Sequence, residues 1–451
     1  MSASPSIAVV GGGPAGLAAA WRLVERGARV VLYEREATPG GRLRTEALEG
    51  ARVDVGVQYL ASHYEAALAL VRAAGAESLL VRSPGRDALW RRGRAHALTY
   101  GSVPSMAASS ALPAGLKLRL AARYLPFLAR HGKDLDLCRP AAAAAAGLDG
   151  ESIAAWGERE LGRDFVDLLV HPLMASYYGS ASEETSAGFY HALSAAGLAV
   201  SIYAVRGGMS ALAAALTRAL VARGVELRAG VEAHEVASSP DGVRVWHAHG
   251  EEAYAGAVVA LPPRAAERVA TLPPAVRAWL AEVRTRPALT VALALERPLG
   301  ERWFALAFAG GSPESAHLAA VAQLERKAAG LVPEGRGVLL LFPAPRIMEE
   351  LAALEPAEVL ERLLQPLEGV LPDLRARTTR ARVYPLPEGY TLFGPGHLAH
   401  IQAMEALELP RALELAGDYR VAPTVDGAVR SGGEAAERLL ARLGDGAGGA
   451  P

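Results

Sequence analysis

A run of glycines set between a short apolar segment and a helical one restricts this chain more than any other feature. Ser6 to Val10 is apolar, Gly11-Gly12-Gly13-Pro14-Ala15-Gly16 follows, Pro14 to Arg26 has helical periodicity, and Ala28 to Tyr33 is again apolar and β-branched. Strand, glycine turn, helix and strand make a βαβ unit that opens a parallel sheet. In such a unit Gly11 allows the tight turn, Gly13 lets the backbone approach a pyrophosphate, and Gly16 lets helix and strand pack closely. The helix beginning at Pro14 and Ala15 presents free N–H groups and the positive end of its dipole. Glu34 ends the second strand, where a carboxylate can accept both hydroxyls of a ribose.

Two further blocks follow: Pro39-Gly40-Gly41-Arg42-Leu43-Arg44-Thr45 and Val53-Asp54-Val55-Gly56-Val57-Gln58-Tyr59. Adjacent glycines let a backbone pass against a flat or anionic group, and Arg42 can pair with a phosphate. With these blocks the chain resembles the flavin-containing amine oxidase and protoporphyrinogen oxidase superfamily. The resemblance implies FAD, held at its adenine and pyrophosphate end by Glu34, Arg35 and Gly40 to Leu43, and against Gly56, Val57 and Gln58 further along. Gly230-Val231-Glu232 matches the strand whose backbone meets adenine. Ala416-Gly417-Asp418-Tyr419 and Pro423 to Gly432 resemble the C-terminal flavin segment. There the resemblance places Gly417 and Asp418 near the pyrophosphate and ribityl chain, and points the helix bearing Val425 and Ala428 at the flavin ring. A helix N-terminus stabilises the negative charge of a reduced flavin.

The resemblance implies an α/β fold in which a Rossmann-like FAD-binding domain, 1–85, 200–285 and 385–445, is interleaved with an α+β substrate domain. The latter takes 86–199 and 286–384, helical over 100–199, and 446–451 forms a flexible tail. Trp156 to Gly162, His171 to Gly179, and Tyr384 to Leu398 are similar to the protoporphyrinogen oxidase branch. Gly417-Asp418-Tyr419 and Ala428 to Gly432 look more like carotenoid and squalene-type desaturases. The implied activity is dehydrogenation of a large, mostly apolar substrate by hydride transfer to flavin N5. The alternatives are a carotenoid or hydroxysqualene-type desaturase or oxidase, then an amine oxidase, then a non-redox FAD-dependent isomerase or binding protein. No second G-x-G-x-x-G stands between strand and helix, so oxygen or a quinone is the expected electron acceptor, and no metal site is expected.

Lysine occurs only at Lys117, Lys133 and Lys327. Amine oxidases of the superfamily place a lysine near flavin N5 from a strand of the substrate domain. The best-matching strand here, Leu289 to Glu296, has none, which counts against amine oxidation. Tyr177, Tyr178, Tyr390 and His397 are candidates for lining or polarising the pocket; packed aromatics and a satisfied buried histidine are the alternatives. Arg92 and Arg94, beside Trp90, fit either a substrate carboxylate or a solvated loop. Cys138 is the sole cysteine and lies far along the chain from the flavin segment, so the FAD is expected to be non-covalent and the compartment reducing.

Lys and Arg number 47 against 48 Asp and Glu, a net charge of -1, so no global basic field would hold nucleic acid. The N-terminus lacks a basic n-region and no apolar run reaches the ~18 to 20 residues of a membrane span. A cytoplasmic protein is expected. Leu112 to Arg130 reads as an amphipathic helix with basic flanks, which fits peripheral membrane contact or ordinary core packing.

Overall fold

Alternate residues of the first strands serve two different cores, and this fixes the central layer. The computed structural model describes residues 5–83, 86–198 and 200–444; the expected tail at 446–451 lies outside them. A five-stranded parallel sheet runs in the order Glu226–Ala229, Arg29–Glu34, Ser6–Val10, Gly256–Val259, Leu413–Leu415. Ile7, Val9, Val30 and Leu32 face a layer of three helices, Pro14–Glu25, Met209–Ala222 and Val425–Gly444. Ala8, Val10, Val31 and Tyr33 face the opposite way, against the antiparallel sheet of Ala233–Ser239, Gly242–His247 and Gly250–Tyr254 and the helix Pro274–Glu282. With both faces covered, the strands read as unbroken apolar runs.

A second, seven-stranded sheet has the order Thr378–Thr391, Thr285–Leu295, Gly337–Pro343, Leu318–Gln323, Ala305–Phe308, Asp87–Arg91, Arg94–Ala97. All its pairings are antiparallel except that of Ala305–Phe308 with Asp87–Arg91. Against it packs a helical layer cored by Tyr124, Trp156, Phe165, Leu169 and Tyr190.

The expected helix over Leu112 to Arg130 is in three parts: Ala114–Arg119, a wider π-helical turn at Leu120–Tyr124, and Leu125–Arg130. Pro126 has no N–H to donate four residues back, so the ladder loosens just before it. The expected helix from Phe165 to Leu173 follows the same rule, with a π turn at Val166–Val170 ahead of Pro172.

Candidate active site and cofactor cradle

The glycine turn distinguishes two uses of glycine. Gly11 has φ +104° and donates its N–H to the Tyr33 carbonyl at 2.9 Å, and a Cβ there would sit 2.5 Å from the Ala260 carbonyl oxygen. A Cβ on Gly16 would lie 1.8 Å from the Gly11 carbonyl oxygen, so the helix can leave the turn only with glycine there. Gly13 is different. Its φ is -74°, open to any residue, and a Cβ would meet nothing nearer than Gly41 Cα at 4.0 Å. The protein leaves clear space in front of Gly13, where a pyrophosphate fits.

Gly40 and Gly41 close the other side of that space. Gly40 N–H donates to the Gly12 carbonyl at 2.9 Å, and Gly41 adopts φ +54° facing Gly13. Leu43 is buried in the core behind them. Glu34 stands at the strand tip, 9% exposed; its Oε2 accepts the Gly12 N–H at 2.7 Å and its Oε1 the Glu36 N–H at 2.9 Å. Each oxygen keeps a lone pair for a ribose hydroxyl. Arg35 is exposed and leans toward Glu36 at 3.4 Å. Val231 lies in a loop, outside the strand the sequence implies, and its N–H is already donated to the Glu34 carbonyl at 2.9 Å. Only its carbonyl and side chain remain for an adenine.

Arg42 has a protein partner at one of its nitrogens. Its Nη1 donates to Asp418 Oδ2 at 2.8 Å, and Thr391 Oγ1 donates to Asp418 Oδ1 at 3.1 Å. Burial works against the Arg42 charge, and the Asp418 carboxylate more than offsets it, holding the guanidinium above its ordinary range. This ion pair ties the second glycine segment to the C-terminal one. Gly417 N–H donates to Ser431 Oγ at 3.0 Å, and Thr424 Oγ1 accepts the Gly427 N–H at 2.9 Å in the first turn of Val425–Gly444. A Cβ on Gly432 would sit 2.0 Å from the Ala15 carbonyl oxygen, so this helix presses directly on the one leaving the glycine turn.

Pro14, Arg42, Gly56, Val57, Gln58, Asp418, Val425 and Ala428 line one continuous cavity of about 880 Å³. Tyr177, Tyr178 and Tyr390 line it as well, joined by Tyr59, Tyr64 and Tyr100, which the sequence did not mark. Burial pushes these phenols up, Tyr390 to about 12 and Tyr177 well above the ordinary tyrosine value, so at neutral pH they are neutral walls and hydrogen-bond donors. His63 also lines the cavity, with neither ring nitrogen partnered among the described residues; burial holds it below the ordinary histidine value and hence neutral. Ala288 and Thr290 are the lining residues from Thr285–Leu295, the strand on which a lysine was sought.

Three residues fall elsewhere than expected. His397 does not line the cavity: it packs against Phe393 at a centroid distance of 4.3 Å, 7% exposed, and burial lowers it to about 3. Lys327, distant in sequence, is buried behind the lining residue Gln58, where its Nζ meets Asp54 Oδ2 at 2.6 Å and Gln58 Oε1 at 3.1 Å. Cys138 is close in space to the flavin segment, its Sγ 3.6 Å from Asp426 Oδ2, because the helical layer folds back onto the C-terminal helix. Its thiol is pushed up to about 12, mainly by burial, and does not line the cavity. Arg92, at φ +53°, and Arg94 sit on a hairpin turn away from it, as a solvated loop would.

A dinucleotide cradle that opens into an apolar cavity capped by a helix N-terminus belongs to a flavoprotein oxidoreductase. Residues 14–440 match the flavin-containing amine oxidoreductase family, and the chain is a member of it, an FAD-dependent enzyme. Coproporphyrinogen III oxidase of Propionibacterium freudenreichii subsp. freudenreichii is 30% identical over 192 residues, 40% of this chain and 33% of that protein. The chain thus aligns with about a third of that relative's length. Carotenoid phi-ring synthase of Streptomyces griseus is 58% identical over 53 residues, 11% of this chain and 10% of that one. Among solved structures, cyclohexylamine oxidase from Brevibacterium oxydans IH-35A superposes with a TM-score of 0.75 at 18% identity, covering 98% of this chain and 100% of that one. That likeness speaks for the fold.

Proposed function

We propose that the protein dehydrogenates a large, mostly apolar molecule, in the manner of the protoporphyrinogen oxidase branch, with non-covalently held FAD. Beyond the share of the cavity lined by the cofactor residues its walls are mostly tyrosines and aliphatic side chains, and that lining carries this reading because it suits a bulky apolar guest better than a small amine. Bound in the cradle, FAD would supply the hydride acceptor. The protein's own share is to orient the guest between the tyrosine rings, exclude water, and offer the neutral His63 imidazole to a departing proton. Oxygen or a quinone would then re-oxidise the flavin. The 53-residue likeness to a carotenoid enzyme keeps a polyene as the second reading.

The test is spectral. The purified protein should be yellow, and under anaerobic conditions its flavin absorbance should bleach with porphyrinogens or, on the second reading, with polyenes. If porphyrinogens, polyenes and amines all fail to bleach it, the non-redox reading takes over.

The same cavity opens beside exposed apolar side chains. Val103, Leu125 and Leu198 line it while standing 47%, 39% and 43% exposed, and Leu118 is 69% exposed among Lys117, Arg119 and Arg123. Basic and apolar side chains together suit an anionic lipid surface, from which an apolar substrate would enter. Among the described residues no helix is long and apolar enough to cross a membrane. Co-sedimentation with phosphatidylglycerol vesicles is expected, weakening with salt; a protein left wholly in the supernatant at low salt refutes the contact.

A further inference from the structure

Tyr390 lies near the end of the strand Thr378–Thr391 and lines the cavity, and among the described residues no hydrogen bond reaches its hydroxyl. Packing alone places its ring. Gly179 stands behind that ring, outside the lining residues, and a Cβ there would come within 2.7 Å of Tyr390 Cγ, Cδ2 and Cε2. Only a glycine lets the ring lie this far back. Gly179 adopts φ +56° at the end of His171–Tyr178, the helix that carries Tyr177 and Tyr178 into the cavity. Its carbonyl accepts from Arg286 Nη1 at 2.9 Å, and Arg286, 4% exposed, forks onto the Glu184 carboxylate at 3.0 and 3.1 Å. Arg286 stands directly across from Tyr390 on the neighbouring strand Thr285–Leu295. Toward the cofactor cradle, Arg42 Nη1 donates to the Gly389 carbonyl at 3.3 Å. The Tyr390 backbone and the glycine behind its ring are thus each tied to a buried arginine, and the open side of the ring is the cavity.

A methyl group on Gly179 would need the ring to retreat by about 1 Å to reach ordinary carbon–carbon contact. Because Gly179 lies behind the ring, that retreat narrows the cavity. We propose that Gly179, clamped by Arg286 and Glu184, is the seat of the Tyr390 ring and sets the width of guest that the cavity admits. Arg286 and Glu184 do not line the cavity and act through the glycine as positioning residues. The assignment rests on the cavity being the guest site of the FAD enzyme.

Two uncharged probes of different width separate this effect from the charged lining residues Arg82, Asp87 and Lys117: 1-pyrenemethanol, a broad flat ring system, and dodecanol, a single chain. Equilibrium dialysis against the holoenzyme gives both affinities. Gly179→Ala should weaken 1-pyrenemethanol about 10-fold or more and dodecanol less than about 3-fold. Gly224→Ala controls for the strain of alanine at positive φ, since Gly224 has φ +89° with open space about it, and it should move neither probe. In a Tyr390→Leu background, adding Gly179→Ala should change either affinity less than about 3-fold, because the ring it would strike is gone. Should Gly179→Ala alone not fold, the double variant carries the test: it should fold, and its failure to do so while Gly224→Ala folds overturns the proposal. No weakening by Gly179→Ala, equal weakening of both probes, or a loss that persists in the Tyr390→Leu background overturns it too. A wild type that binds neither probe defeats the cavity's reading as the guest site, and the proposal with it.

Discussion

Gly13→Leu is expected to give a folded, colourless protein. The backbone at Gly13 has an ordinary negative φ, and a Cβ there would touch no protein atom closer than Gly41 Cα at 4.0 Å. The backbone and the Cβ position therefore accept a side chain, and loss of a glycine slightly restricts the unfolded chain in the variant's favour. What leucine fills is the space facing the first turn of Pro14–Glu25, where N–H groups would meet a pyrophosphate. Overpacking of about 3 kcal/mol there corresponds to a roughly 100-fold weaker hold on FAD. The measurement is flavin content after gel filtration, together with the thermal midpoint with and without added FAD. Wild type should rise with FAD by mass action, and Gly13→Leu should match the flavin-free wild type and not respond. Gly16→Ala provides the contrast, because its Cβ would strike the Gly11 carbonyl oxygen and cost folding itself. Full flavin occupancy in Gly13→Leu would mean that the pyrophosphate is held elsewhere.

That contrast also shows what could be read from the chain. The parallel sheet was legible because strands buried on both faces are continuous apolar runs, and because a glycine turn joins the first strand to its helix within a few residues. In the second sheet the apolar strands Thr285–Leu295 and Gly337–Pro343 were legible as well, and its edge was hidden. Its edge strand Thr378–Thr391 contains Pro385 and Pro387, which argue against a strand until one sees that it lies at the edge. Asp87 looks like any polar residue ahead of an apolar run, and only its pairing with Ala305 carries it into a cavity wall. Cys138 and Asp426 meet across 288 positions, a distance over which no local pattern speaks. His397 was singled out by its sequence neighbourhood, yet the helix His397–Ala403 turns it into the core. Motifs that act through their own backbone were therefore visible, as were the lining tyrosines Tyr177, Tyr178 and Tyr390, whereas pairs of side chains that meet from remote segments were not.

Lys327 is the sharpest case, and Lys327→Met is expected to cost about 3 to 5 kcal/mol of stability. The lysine is 1% exposed and Asp54 is fully buried, and they meet at 2.6 Å across 273 positions. Burial pushes the ammonium below the ordinary lysine value, with Asp54 recovering only part of it, so the pair as a whole is no large source of stability. Removing one partner is another matter. Methionine would leave the Asp54 carboxylate in the core with only the Thr45 hydroxyl and the Met209 N–H to answer it. Gln58 would also lose the Nζ contact that helps hold its amide, and that amide braces the turn by donating to the Asp54 carbonyl at 2.7 Å. That turn carries Gly56 and Val57 into the cavity, so FAD retention should weaken along with stability. Asp54→Asn together with Lys327→Met keeps an oxygen for Thr45 and Met209 while removing both charges, and should return the cost to below about 2 kcal/mol. Urea midpoints of the wild type, both single variants and the double variant close the cycle. Additive losses, with no recovery in the double variant, would show that the two charges are not coupled and that Lys327 is held for its stem alone.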